Sequence, residues 1–255
     1  MIAITRDVSP SIASAELTHL QRVPIDYERA REQHEEYRAL LTSLGCDVIS
    51  LPADPAHPDC VFIEDTAIVL EDLAVITRPG AESRRGEVDV VARELVKHRR
   101  LVQIAPPATL DGGDVLVLGE RIYVGMSSRS NEEAVGQLRR LTGREVIGVA
   151  VRGALHLKTA ITRVSRDALL VNRQWIDVAP FAGWTMIDID PAEPFAANAV
   201  WLGERVIHAA AFPGTRARLE GHGIAVHTVH ADELAKAEGG VTCCSLLVER
   251  GRPAA

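Results

Sequence analysis

DCVFIEDTAIVL (59–70), a turn at Glu71-Asp72, LAVITR (73–78), the loop PGAESRRG (79–86), EVDVVARELVKH (87–98) and LVQI (101–104) read in that order as strand, strand, helix and strand. The two leading runs are apolar, of strand length and bounded by turn residues, whereas the third has helical length and period. The same order recurs downstream. GDVLVLG (113–119) and RIYVG (121–125) are followed by a helix from about Asn131 to Leu141 and by EVIGV (145–149). A third unit runs LHLKTAITRV (155–164), DALLVN (167–172), a weakly helical stretch around Trp175, then TMIDID (185–190). A fourth runs AANAVWLG (196–203), RVIHAA (205–210), a helix near TRARLEGHG, then IAVHTV (224–229).

The final strand, TCCSLLVER (242–250), has no downstream partners, and the start of the chain supplies them. IAIT (2–5), a helix from about Asp26 to Leu44 preceded by Pro24, and DVISL (47–51) complete a fifth unit. Repetition at this period implies supersecondary units that bury their faces against one another. Because the two ends make one unit between them, the expected architecture is a closed ring. It is α/β in class, and residues 1–255 form a single domain whose last unit is closed by the N-terminal segment.

The chain has 255 residues, 47% hydrophobic and 25% charged, an ordinary globular balance. Its net charge of -7 argues against nonspecific nucleic-acid binding, which requires a basic footprint. No apolar run approaches the ~20 residues needed to span a bilayer, and MIAITRDVSPSIAS (1–14) does not resemble a secretory leader. The cysteines Cys46, Cys60, Cys243 and Cys244 have no zinc-like spacing, and two are adjacent. Reduced thiols in a cytoplasmic protein are expected.

Each unit carries a polar residue at or just before its first strand: Asp59, Asp111, His156, Asn198 and Cys243. In a ring, equivalent positions converge on the axis and would form one small-molecule pocket. Cys243 follows paired glycines, and on a strand it would face away from Cys244, so only one thiol can enter the site. Cys244 and Cys60 read as small buried hydrophobes. A Cys–His pair distant in sequence and adjacent in space is a nucleophile with its proton-transfer partner. The acidic residues Glu64 and Asp65 interrupt an apolar run, and Asp111 and Asp114 bracket glycines. Buried carboxylates need partners, either arginines within the protein or a cationic ligand. A guanidinium matches carboxylates in bidentate fashion, and Arg84 and Arg129, in the loops after the hairpins, would suit a substrate carboxylate. The set describes an arginine-like substrate.

DCVFIED, ITRPGAESRRGE, LDGGDVLVLG, SSRSN, LHLKT, AANAVWL and GGVTCCSLL resemble, in family order, the motifs of bacterial and animal dimethylarginine dimethylaminohydrolases of the guanidine-modifying pentein superfamily. The resemblance covers essentially the whole chain. It implies a five-bladed β/α propeller of five ββαβ units around a central active-site channel. It implies hydrolysis of N-omega-methylated arginine to citrulline and a methylamine through a covalent thiouronium, with no metal or organic cofactor. By the same resemblance Cys243 is the nucleophile and His156 the general acid/base, while Asp65 and Asp111 hold the guanidinium or orient the histidine. Asp59 and Glu64 would contact the amino end, Arg84 and Arg129 the carboxylate. Leu17 corresponds to a lid leucine and Ala237 to a backbone contact. The alternatives are an arginine deiminase-like hydrolase and a pentein-fold ribosome-binding factor. The expected partner is a small arginine derivative, with neither nucleic acid nor membrane, and the sequence allows a homodimer.

Overall fold

A computed structural model describes residues 1–249. β1 (Ile2–Arg6) is followed by α1 (Tyr27–Ser43) and β2 (Asp47–Leu51). Next come β3 (Ala67–Val69), β4 (Leu73–Ile76), α2 (Val88–Leu95) and β5 (Arg100–Gln103). β6 (Val115–Leu118), β7 (Arg121–Met126), α3 (Glu132–Thr142) and β8 (Glu145–Ala150) repeat the pattern. The third repeat has α4 (Leu157–Ala160), β9 (Ile161–Arg163), β10 (Ala168–Val171) and β11 (Thr185–Asp188), with only a 3-10 turn at Ala179–Phe181 in place of a crossover helix. β12 (Ala199–Leu202), β13 (Arg205–Ala209), α5 (Pro213–Gly221) and β14 (Ala225–Val229) form the fourth. α6 (Asp232–Ala235) and β15 (Leu246–Val248) end the described chain, and Arg250 of the expected last strand lies outside it.

The strands form five three-stranded sheets, each with one antiparallel and one parallel pairing. In β3–β4–β5, Ala67 pairs antiparallel with Ile76, and Ile76 pairs parallel with Gln103. The fifth sheet has the order β15–β1–β2, so the N-terminal strand lies between a strand from each end of the chain.

The core explains why the middle strands read as unbroken apolar runs. Successive side chains on a strand point to opposite faces, so a strand buried on both sides must be apolar throughout. Leu73 and Val75 of β4 join a cluster with Val124 and Leu138, whereas Ala74 and Ile76 join one with Ile4 and Leu246. In β10, Leu169 and Val171 pack with Tyr123 and Phe181, and Leu170 packs with Val206 and Leu219. Ile207 of β13 completes the set against Ala3, Tyr37 and Leu41. Each of the five clusters lies between two consecutive sheets, and the last lies between the fourth repeat and the sheet containing β1. The clusters therefore run around a closed circuit.

One local expectation is corrected in three places. The expected strands at 59–70, 155–164 and 242–250 begin only at Ala67, Ile161 and Leu246. Helical turns precede them at Ile63–Thr66, Leu157–Ala160 and Thr242–Cys244, and Gly112–Asp114 does the same before β6. Apolar periodicity cannot distinguish a short buried strand from a buried helical turn. The turns have a use: they carry polar residues at the end of four of the five sheets without demanding ladder hydrogen bonds from them.

Candidate active site

The helical turns position most of the chemistry. Asp111 and His156 are the extended residues that lead into two of them, and Asp65 and Cys243 lie within two others. Asp59, Phe62, Asp65, Arg84, Arg129, His156, Ala237 and Cys243 line one cavity of ≈ 20 Å³, together with Glu16, Leu155, Glu238 and Gly239. The cavity is roughly the size of one water, so an amino acid can enter only when part of the wall moves. A larger cavity of ≈ 540 Å³ lies beyond Glu64, Lys158 and Thr242, and neither the thiol nor the imidazole lines it.

His156 is 4% exposed and held at both ring nitrogens. Its Nε2 lies 3.0 Å from Asp111 Oδ2, and its Nδ1 lies 3.8 Å from Asp65 Oδ1. Asp111 is fixed in turn by the Gly80 amide, which donates to Oδ1 at 2.8 Å. Burial lowers the imidazole pKa, but the charges of Asp65, Asp114 and Asp111 outweigh it and raise the pKa to about 9. The resting imidazole is therefore a cation that donates to Asp111.

Asp65 accepts from the Gly113 amide at 2.9 Å and from Arg84 Nη1 at 2.6 Å. Burial alone would raise its pKa; the His156 and Arg84 charges lower it to about 2. A Cβ at Gly113 would lie 2.6 Å from His156 Nδ1 and 2.8 Å from Asp65 Oδ1, so glycine at this position lets the two groups meet. The glycines before Cys243 also admit protein side chains. A Cβ at Gly239 would meet the Phe62 ring at 2.2 Å, and one at Gly240 the Asn198 amide at 2.5 Å.

Cys243 is half-buried, and its Sγ accepts from the Gly240 amide at 3.3 Å. Burial, and after it the carboxylates of Glu64 and Asp65, push the thiol from an ordinary value near 9 up to about 12. Cys244 is buried in the core between the fourth repeat and the sheet containing β1, and it donates to the Gly240 carbonyl at 3.6 Å. The two cysteines sit on a 3-10 turn and not on a strand, yet only Cys243 among them lines the cavity.

The other expected residues divide by location. Glu64 binds Lys158 Nζ at 2.5 Å and accepts from Thr242 Oγ1 at 2.7 Å, one layer behind the cavity wall. Asp59 accepts the Glu16 amide at 3.1–3.2 Å, and its burial raises its pKa to about 6. Arg129 donates to Thr18 Oγ1 at 3.0 Å and lies 3.9 Å from Asp111. Arg84 lines the cavity, but its guanidinium is already paired with Asp65 and, at 2.8 Å, with Glu87. Leu17 is half-buried in the segment that covers the site and does not itself line the cavity. Asn198 does not line it either. It donates to Thr242 Oγ1 and accepts the Thr242 amide, which fixes the turn that bears Cys243. The five-residue convergence expected from the repeat is thus corrected: Asp59, His156 and Cys243 line the cavity, whereas Asp111 and Asn198 support it from behind.

Asp65, Asp111 and His156 each present one potential metal-ligand atom within 4.8 Å of the others. Here the imidazolium pairs with both carboxylates and Arg84 with Asp65, so charge within the cluster is balanced by protein groups. Glu87, Lys158, Thr242 and Glu238 also take part in the site and were not singled out from the sequence. Lys158 lay within the quoted LHLKT motif and Glu238 beside Ala237, but their partners are far away in the chain.

The sequence profile of the family described as N,N dimethylarginine dimethylhydrolase, eukaryotic, matches residues 16–180. An N(G),N(G)-dimethylarginine dimethylaminohydrolase of Streptomyces coelicolor is 37% identical over 96% of this chain and 95% of its own. One from Pseudomonas aeruginosa is 35% identical over 87% of this chain and 89% of its own. A solved P. aeruginosa structure, a cysteine-to-serine mutant complexed with citrulline, superimposes with a TM-score of 0.90 at 34% identity, covering 96% of this chain and 97% of that one.

Proposed function

The chain belongs to the dimethylarginine dimethylaminohydrolase family, and on that premise we propose that it hydrolyses N-omega-methylated L-arginine to L-citrulline and a methylamine. The fold is the five-bladed propeller of that family. The observation that carries the reading is a thiol and a doubly paired imidazolium on one cavity wall, among carboxylates suited to a guanidinium.

In this mechanism the substrate cation enters beside Asp65, with Glu64 one layer behind the wall. Its positive charge offsets the carboxylates that hold the Cys243 proton in place, and the thiol loses that proton to solvent. The thiolate attacks the guanidinium carbon, forming a C–S bond and a tetrahedral adduct. His156, already cationic, protonates the alkylated nitrogen, and the C–N bond breaks to release the amine. The remaining thiouronium is attacked by water as neutral His156 takes the water's proton. Collapse breaks the C–S bond, returns the thiolate and, as the hydroxyl proton passes to solvent, leaves the neutral ureido group of citrulline. Asp111 holds the imidazole in one orientation through both proton transfers. Asp59 would meet the substrate amino group, Arg129 and Arg84 its carboxylate, the Ala237 backbone would make a further contact, and Leu17 would close over it.

All residues, 1–255, are taken as one catalytic domain; the position of β1 between β15 and β2 supports this. A cytoplasmic setting is supported by four free cysteines. Among the described residues no helix is long and apolar enough to cross a membrane. A homodimer is the assembly to test by light scattering.

The test is a parallel assay of arginine, monomethylarginine and asymmetric dimethylarginine, scoring citrulline and the released amine. Citrulline should form from the methylated substrates and be lost in Cys243→Ser. Turnover of arginine alone would replace this reading with a deiminase. A serine variant that still made citrulline, or a wild type that made none from any substrate, would remove it.

A further inference from the structure

Glu238 adopts φ 61°, and among the described residues it is the one non-glycine residue with positive φ. That region disfavours any side chain with a Cβ and is the ordinary province of glycine. Glu238 nevertheless lies here, between Ala237 and the paired glycines that lead to Cys243. Its carboxylate accepts three consecutive backbone amides from the other end of the chain: Thr18 at 3.0 Å, His19 at 2.5 Å and Leu20 at 2.6 Å.

Those amides belong to the irregular segment between Ala15 and α1, which is exposed along most of its length. The segment closes the site, since Glu16 lines the cavity and the Glu16 amide is held by Asp59. Packing holds it poorly: an apolar cavity of ≈ 180 Å³ lies against His19 and Leu20, and Leu20 is 37% exposed. Its remaining ties to the site are Arg129 to Thr18 Oγ1 and Ser83 to Glu16. Asp59 and Arg129 are the groups assigned above to the substrate's amino and carboxylate ends, so a bound substrate competes for them. Glu238 has no such assignment, and its tie can survive binding.

We propose that Glu238 is the latch of the lid: a positioning residue whose carboxylate keeps residues 18–20 closed over bound substrate, at the expense of a left-handed backbone. It acts through the lid and not on the reacting atoms. The proposal rests on the reading of this cavity as the substrate site, but two of its readouts need no turnover.

Glu238→Ala, Glu238→Gln and Glu238→Gly are compared with wild type. The glycine variant separates the two roles, because it removes the carboxylate and also relieves the strained backbone. It should keep or raise the melting temperature, yet be cut faster by trypsin after Arg22. Alkylation of Cys243 should also be faster with the lid loosened. KM should rise roughly tenfold with kcat within about twofold of wild type, the pattern of lost binding and not of lost chemistry. Glu238→Gln, which keeps an acceptor oxygen, should lie between wild type and Glu238→Ala. If Glu238→Gly is as resistant to trypsin as wild type and its KM is unchanged, the latch is overturned. If trypsin and alkylation respond but no substrate is turned over, the latch stands and the proposed activity fails.

Discussion

Cys243 has the least favourable starting point for its assigned role. A thiol pushed up to about 12 is almost wholly protonated at neutral pH, and the nearby carboxylates that suit a guanidinium are the groups that oppose its ionisation. The sign follows directly: a cation placed among those carboxylates cancels their repulsion of the thiolate and lowers the thiol pKa. Titrating thiolate ultraviolet absorbance against pH should show an onset in the presence of a non-hydrolysed cationic arginine analogue at least about one pH unit below that of the free enzyme. Coincident titrations would remove substrate-assisted ionisation. The imidazole faces the opposite balance. Its pKa of about 9 keeps it cationic at neutral pH, which suits the proposed protonation of the departing amine before activation of water. Arg84 shows how far a residue's identity can mislead about its availability. Its guanidinium spans Asp65 and Glu87, so any contact with a substrate carboxylate must be made alongside those pairs.

The helical turn that precedes the first strand of four of the five sheets is the element on which the site is built. Each is three or four residues long, too short to be stable alone, and is held by what it touches. Gly112–Asp114 is the most constrained. A Cβ at Gly112 would lie 2.0 Å from the Glu64 carbonyl, and one at Gly113 would press between His156 and Asp65. Asp114, on the same turn, accepts the Leu157 amide at 3.0 Å and so anchors the turn that follows His156. Gly113→Ala should therefore separate the imidazole from Asp65 and lower kcat by roughly a hundredfold, since a displacement of about 1 Å can cost that much. The drop should exceed any loss of secondary structure seen by circular dichroism. Activity close to that of wild type would show that the Asp65–His156 approach is not needed.

At the scale of the whole molecule, closure depends on β1. It is the middle strand of the sheet that joins the two ends, with β15 on one side and β2 on the other. Ala3 faces the cluster shared with the fourth repeat, and Ile4 faces the one shared with β3 and β4. Both are fully buried. Ile4→Ala should destabilise the fold by about 2–5 kcal/mol, read as a lower urea midpoint at unchanged slope. Arg84, Asp65 and Glu64 lie on the neighbouring repeat, so loosening this seam should also reduce activity before global unfolding. A midpoint within experimental error of wild type would show that the ends are not what closes the ring.

The repeat and its fifth unit assembled from the two termini were legible in the sequence, as were the thiol and the imidazole that the fold brings to one cavity. Apolar runs buried on both faces must be written as such in the chain, and a polar residue that interrupts them at each repeat stands out. Boundaries were less legible. The strands at 59–70 and 242–250 dissolve into turns because an apolar residue satisfies either conformation once it is buried. Which carboxylate meets which cation was decided only by the tertiary structure. Asp65 with Arg84, Glu64 with Lys158, His156 with Asp111, and Glu238 with the amides of Thr18 to Leu20 all join residues distant in sequence. The chain specifies charges and their spacing, but a charge pair forms where packing brings the groups together and excludes water, and that is a property of the closed ring.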